Sequence, residues 1–138
     1  MMSIFDAVRT GNGILVRELL DNGVDVHQTD EEGETPLLMA CRKGNYALIK
    51  MLLAYGANVN AVGGPNNKTR TTTCLHYACK NQYPEIVWLL LKHGADIDAM
   101  DEDGWRPLHY ACRFNYWDTV RVLIEQGTME NVESSNFC

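Results

Sequence analysis

Thr35-Pro36-Leu37-Leu38-Met39-Ala40 returns as Thr73-Cys74-Leu75-His76-Tyr77-Ala78, and again as Arg106-Pro107-Leu108-His109-Tyr110-Ala111. A second phrase keeps step with it. It reads Leu19-Leu20-Asp21-Asn22-Gly23-Val24-Asp25-Val26, then Leu52-Leu53-Ala54-Tyr55-Gly56-Ala57-Asn58-Val59, then Leu90-Leu91-Lys92-His93-Gly94-Ala95-Asp96-Ile97. A degraded fourth copy is Leu123-Ile124-Glu125-Gln126-Gly127-Thr128-Met129-Glu130. The glycines Gly23, Gly56, Gly94 and Gly127 stand 33, 38 and 33 residues apart. Self-similarity at such a period marks stacked supersecondary units, none of which buries its apolar faces alone.

Each unit reads as two short helices. Thr35 and Thr73 offer hydroxyls that cap the first backbone N–H groups of a helix. Pro36 and Pro107 suit the first helical position, where a missing N–H costs nothing. First helices are expected over Leu37–Lys43, Leu75–Lys80 and Leu108–Phe114. Gly11 and Gly44 follow first helices, where a left-handed residue is wanted, and Asn115 is a tolerable substitute. Gln82 departs from that rule, so its corner is expected to be strained or reshaped. Second helices are expected over Ile14–Leu20, Ala47–Leu53, Ile86–Leu91 and Thr119–Ile124, each closed by the recurring glycine.

A 33-residue period carrying Thr-Pro-Leu-His-x-Ala resembles the ankyrin repeat. The resemblance covers about residues 3 to 128. It implies an all-α solenoid of helix–turn–helix units joined by β-turn or hairpin-like fingers. The expected repeats span about 3–29, 30–62, 63–100 and 101–128, followed by a tail over 129–138. Stacking would join the four units into one continuous core.

Three departures carry information. The first unit lacks the Thr-Pro phrase and reads as a cap. The interval of 38 residues holds five extra residues, within 62–72. Gly63, Gly64 and Pro65 mark that stretch as a loop, either a contact finger or a surface insertion tolerated at little entropic cost. The fourth unit loses its pattern after Gly127. There the tail Met129–Cys138 folds back, a partner or second copy covers the end, or the apolar residues simply face repeat three.

Composition narrows the function. The chain has 138 residues, 46% apolar and 22% charged, with 12 basic against 18 acidic residues and a net charge of −6. That balance speaks against a phosphate-backbone binder and against docking on anionic lipid. The longest apolar run, Ile86–Leu91, is far short of the roughly 20 residues of a membrane span. Asp6 and Arg9 interrupt any signal-peptide core. Five cysteines without a scaffold spacing fit a reducing compartment. The expected location is the cytoplasm, with the nucleus as the alternative. Asn67-Lys68-Thr69 matches the glycosylation pattern by chance on this reading.

No nucleophile elbow, phosphate-binding loop or paired-histidine zinc motif is present in the sequence. The pairs His76/Cys79 and His109/Cys112 are spaced so that each shares a helix face, and two such pairs suffice in number for a zinc site. Packing explains them better. The resemblance implies that His76 and His109 bond neighbouring backbone, and Cys41, Cys79 and Cys112 fill a slot for a small apolar residue. The expectation is a non-enzyme without cofactor or metal.

In ankyrin-like stacks partners meet the fingers and the exposed positions of each first helix. Matched positions give Glu31, Glu32, Glu34, Lys68, Arg70, Glu102, Asp103 and Trp105 on the fingers. The helical floor gives Arg9, Met39, Arg42, Lys43, Tyr77, Lys80, Asn81, Tyr110, Arg113 and Phe114. Aromatic residues and Arg dominate interface energetics. The expected site therefore has an acidic rim, a basic floor and an aromatic half toward the C-terminus. It suits a protein or peptide with an acidic stretch beside an apolar anchor, bound by a monomer or a subunit of a hetero-complex. The alternative is a structural subunit using Trp88, in a slot that elsewhere holds Arg17, Lys50 and Arg121, together with Trp117. The family resemblance also makes Asn60 a candidate for hydroxylation.

Overall fold

The computed structural model describes residues 2–63 and 71–128. Eight helices follow in pairs: α1 (Ile4–Arg9) with α2 (Gly13–Asp21), α3 (Pro36–Lys43) with α4 (Tyr46–Ala54), α5 (Cys74–Lys80) with α6 (Pro84–Lys92), and α7 (Pro107–Arg113) with α8 (Trp117–Leu123). The first helices α1, α3, α5 and α7 pack side by side, each backed by its own second helix. One core runs through this stack from Ile4 and Val8 through Leu37, Leu48, Leu75, Ile86 and Leu90 to Leu108 and Leu123.

The capping residues act as their chemistry dictates. Ser3, Thr35 and Thr73 hydroxyls accept backbone N–H bonds from Asp6, Leu38 and His76. The Asn12 and Asn45 amides do the same for α2 and α4. The turns between units repeat too. After each of Gly23, Gly56 and Gly94, the side chain of Asp25, Asn58 or Asp96 accepts the N–H two residues on, at 2.9–3.0 Å. Such a turn explains the recurrent Asp or Asn two places after the glycine.

One corner is strained as expected, and another differs from expectation. Gln82 takes φ 59°, the same left-handed shape as Gly44 (71°) and Asn115 (60°). The stack therefore imposes the corner on a residue that pays about 1 kcal/mol or more of strain for it. In the fourth unit Gly127 does not close the second helix. Ile124 keeps a right-handed helical backbone, and Ile124–Thr128 form a π-helical turn.

The insertion begins and ends on a short antiparallel ladder, β1 (Val62–Gly63) with β2 (Thr72–Thr73), pairing Val62 with Thr73 and Gly63 with Thr72. Gly63 is needed there. A Cβ at this position would stand 2.8 Å from Leu38 Cδ1 and 3.0 Å from the Gly33 carbonyl oxygen.

Candidate functional site

The fingers of repeats two and four are built alike. Asp30 accepts the N–H groups of Glu32 and Glu34 at 2.9 and 3.0 Å, and Asp101 accepts those of Asp103 and Trp105 at 3.0 and 2.9 Å. A second bond joins each Asp N–H to the carbonyl of the residue four places on. The rim side chains Glu31, Glu32, Glu102 and Asp103 are exposed.

Each first helix carries a floor cation in its last turn, and these align as Arg9, Arg42, Lys80 and Arg113, with Lys43 a second one in repeat two. The first two are neutralised within their own repeat. Arg9 bonds Asp6 at 2.7 Å. Arg42 forms a two-pronged pair with Glu34 at 2.7 and 3.3 Å, which raises the guanidinium further above its ordinary value. Lys80 and Arg113 form no ion pair among the described residues. Lys80 lies over the Tyr110 ring, 5.1 Å from its centroid, and Arg113 over the Trp105 ring at 5.2 Å. Glu34 and Trp105 occupy the same slot, two residues before the start of their first helix. Repeat two fills it with a carboxylate and repeat four with an indole, and the floor cation follows suit.

The structure corrects part of the expected surface. Glu34 is not a rim residue: only 1% of it is exposed, and it is held by Arg42 and by the Tyr77 hydroxyl, which donates at 3.3 Å. Tyr77, 7% exposed, is buried, and so is Met39 in the same slot of repeat two. Burial, then the nearby Glu34 charge, pushes the Tyr77 phenol up to about 12. The outward aromatic floor is thereby reduced to repeat four. There Tyr110 and Trp105 are half-buried with ring centroids 4.9 Å apart, and Phe114 is exposed beside Tyr116. Lys43 and Asn81 are exposed, the latter donating its amide to the Tyr77 carbonyl at 2.9 Å. Lys68, Arg70 and the Asn67 glycosylation pattern lie outside the described residues, as does the tail 129–138.

Asp101 ties the fourth repeat together. Its carboxylate also accepts the Tyr110 hydroxyl. Burial works against its charge, but this bond and the two backbone N–H groups hold the carboxyl below its usual range. Burial, then Asp101, pushes the Tyr110 phenol well up.

His76 is the latch between repeats three and four. Its Nε2–H donates to the Trp105 carbonyl at 2.9 Å, and its Nδ1 accepts from the Thr73 N–H at 3.2 Å and the Thr73 hydroxyl at 2.9 Å. These partners fix a neutral imidazole, and burial lowers its affinity for a proton. With both nitrogens engaged, His76 has none to give to a metal. Asn60 bridges repeats two and three in a similar way, donating to the Gly94 carbonyl at 3.2 Å and accepting the Asp96 N–H at 2.8 Å.

His109, expected only to bond neighbouring backbone, was not among the residues expected on the binding surface. Its Nδ1 accepts the Arg106 N–H at 3.0 Å, as His76 does in its own repeat. It lines a cavity of about 440 Å³ with Asp103, Gly104, Trp105, Cys112 and Arg113. The signal was the repeat phrase itself, which places a latch histidine in the last unit. On the opposite side Trp88 is 44% exposed beneath Lys92, and Trp117 is 58% exposed. No helix among the described residues is long and apolar enough to cross a membrane.

Comparison with known proteins agrees with this architecture. The family model for ankyrin repeats (3 copies) matches residues 4–101 and 62–134. The chain is 36% identical over 106 residues to an Arabidopsis thaliana protein, XBAT35, whose name is that of an E3 ubiquitin-protein ligase, covering 76% of this chain and 22% of that one. It is 35% identical over 106 residues to the E3 ubiquitin-protein ligase Ufd4 of Drosophila melanogaster, covering 76% and 4%. It is 37% identical over 96 residues to the ankyrin repeat protein FPV031 of Fowlpox virus, covering 68% and 27%. The chain thus spans 4 to 27% of the length of these relatives.

Proposed function

We propose that this chain, which belongs to the ankyrin-repeat family, is a non-catalytic interaction module that takes a protein or peptide partner on the C-terminal half of its finger and first-helix surface. Ankyrin repeats are in general protein-interaction units, and rigid stacks of this kind present preformed binding faces, which limits the ordering cost of association. One observation carries the placement. Lys80 and Arg113 are unpaired among the described residues and lie over the Tyr110 and Trp105 rings, beside the acidic finger of Glu102 and Asp103. Desolvating a cation against an aromatic face is favourable, and a carboxylate brought by a partner would complete the charge. The preferred partner surface is acidic with an apolar anchor, and the proposed setting is the cytoplasm.

The test begins with affinity capture from the native source and measured binding of the captured partner. Lys80→Ala and Arg113→Ala should each weaken it at least about tenfold, the value of one lost hot-spot contact. Unchanged affinity in both variants would remove the assignment.

The exposure of Trp88 and Trp117 supports a second reading, a structural subunit that buries these faces in a larger assembly. Sedimentation of the isolated chain separates self-assembly from a monomeric module, and Trp88→Lys should abolish any self-association found.

A further inference from the structure

The repeat phrase places Pro36 and Pro107 at the first position of their helices, but repeat three has Cys74 there. Proline suits that slot, so the fold does not call for a thiol. Cys74 opens α5, and α5 packs side by side with α3, which carries Cys41. The two thiols meet across the junction of repeats two and three, close enough to hydrogen-bond to each other. Both are free and fully buried. They stand 33 residues apart in sequence, one repeat length. One repeat later the same two slots hold Cys79 and Pro107, which cannot form such a pair.

We propose that Cys41 and Cys74 are a dithiol whose oxidation to a disulfide staples repeat two to repeat three. The step is a two-electron oxidation, and the oxidant is a peroxide. One sulfur, as the thiolate, attacks an oxygen of hydrogen peroxide and the O–O bond breaks. The departing hydroxide takes up the thiol proton as water, and a sulfenic acid remains. The second sulfur then displaces the hydroxyl from the first, forming the S–S bond. That hydroxyl leaves as water with the second thiol's proton. Two thiols and one hydrogen peroxide thus give one disulfide and two waters.

Burial sets the timing. It pushes the Cys41 thiol up, with the neighbouring Cys74 adding to the effect, and the thiolate is the reactive form. The closed stack therefore stays reduced, and the oxidant enters when the junction opens locally. On reclosure the partner thiol is in place, which favours the disulfide over further oxidation of the sulfenic acid. The staple ties the same two repeats that the Tyr77 hydroxyl joins through Glu34 at 3.3 Å. It lies next to the ladder at the base of the inserted finger, where Val62 pairs with Thr73. Oxidation converts a junction held by packing into a covalent one, and a thiol reductant restores it. This goes beyond the interaction reading and does not depend on it.

The full chain is exposed to a small molar excess of hydrogen peroxide, with and without urea below the unfolding transition, and its peptides are mapped by mass spectrometry. A cross-link between Cys41 and Cys74 should appear, and faster in urea. The cross-linked chain should melt at least about 5 °C higher, because a disulfide closing a loop of one repeat restricts the unfolded chain. A thiol reductant should reverse the shift. Cys74→Pro restores the residue that the phrase carries in two other repeats, after a Thr73 backbone already extended (φ −100°, ψ 169°) as proline requires. It should fold, form no cross-link and show no reversible shift, which separates the pair from the remaining cysteines. Cys41→Ala should behave likewise. Four outcomes overturn the inference. They are Cys41 and Cys74 still reduced in urea once the exposed Met100 is the sulfoxide, sulfinic acid at either in place of the disulfide, a cross-link to Cys79 instead, or a Cys41–Cys74 cross-link that leaves the melting temperature unchanged.

Discussion

Replacing His76 by Ala should cost about 3–4 kcal/mol, whereas the same change at His109 should cost only about 1–1.5. The two histidines occupy the same slot of the repeat phrase, but only His76 has a further finger packed over it. His76→Ala removes three hydrogen bonds, to the Trp105 carbonyl and from the Thr73 N–H and hydroxyl. At a net value of about 1 kcal/mol each they account for about 3 kcal/mol. The Thr73 N–H is then left in a buried position, which adds further cost, while the Trp105 carbonyl keeps the Asp101 N–H at 3.0 Å. His109→Ala removes one such bond and an edge-on contact with Trp105, about 1 kcal/mol plus a few tenths. Urea unfolding followed by far-UV circular dichroism gives both values. Tryptophan fluorescence adds a second readout, because two of the three tryptophans, Trp105 and Trp117, lie in repeat four. In a stack coupled only through neighbours, losing the latch should let the fluorescence transition precede the dichroism transition in His76→Ala. Equal costs for the two variants, within about 0.5 kcal/mol, would refute the latch.

Three further expectations concern single sites. Thr119 is fully buried in the slot held by Leu48 and Ile86, and its hydroxyl has no partner among the described residues, so Thr119→Val should stabilise the protein by about 1 kcal/mol in the same urea assay. Gly44→Ala places a Cβ 2.4 Å from the Tyr83 ring at φ 71°, whereas Gly23→Ala at φ 91° meets nothing. The first should cost about 2–4 kcal/mol and the second about 1, thermal melts giving the order, and equal shifts would count against the Tyr83 contact. The buried His76 has its proton affinity lowered from the ordinary 6.5, so the unfolded chain takes up a proton that the folded chain resists. Stability should therefore fall as pH drops below about 6.5, by at most about 1.4 kcal/mol per pH unit. His76→Ala should flatten that decline between pH 7 and 5, and parallel profiles would refute it.

The stack was legible because its signals are local and repeated. A capping hydroxyl, a proline and a left-handed glycine each fix a helix end within a few residues, and the period multiplies the evidence. The burial of Glu34 and Tyr77 was not legible, since it is decided by a contact across 43 residues. Read locally, an acid in a finger and a tyrosine on a floor both look outward. Only their mutual approach, with Arg42 closing the third side, turns them inward. Gln82 shows the converse. Its local preference argues against the left-handed corner, and the packing of repeats on either side overrides it, as tertiary contacts routinely override propensity.

Net charge misleads about where the chain would bind for a related reason. The floor carries a cation in every repeat, so composition alone suggests a uniform basic stripe under an acidic rim. The residue in the slot before each later first helix breaks that uniformity. Glu34 fills it in repeat two, Thr72 in repeat three and Trp105 in repeat four. A carboxylate there neutralises Arg42 and is itself consumed. Threonine leaves Lys80 to the neighbouring Tyr110 ring, and tryptophan takes Arg113 onto its own. An aromatic face orients a cation without cancelling its charge. The one-residue change from Glu to Trp thus replaces an internal ion pair by a cation positioned on an indole, one that forms no ion pair among the described residues.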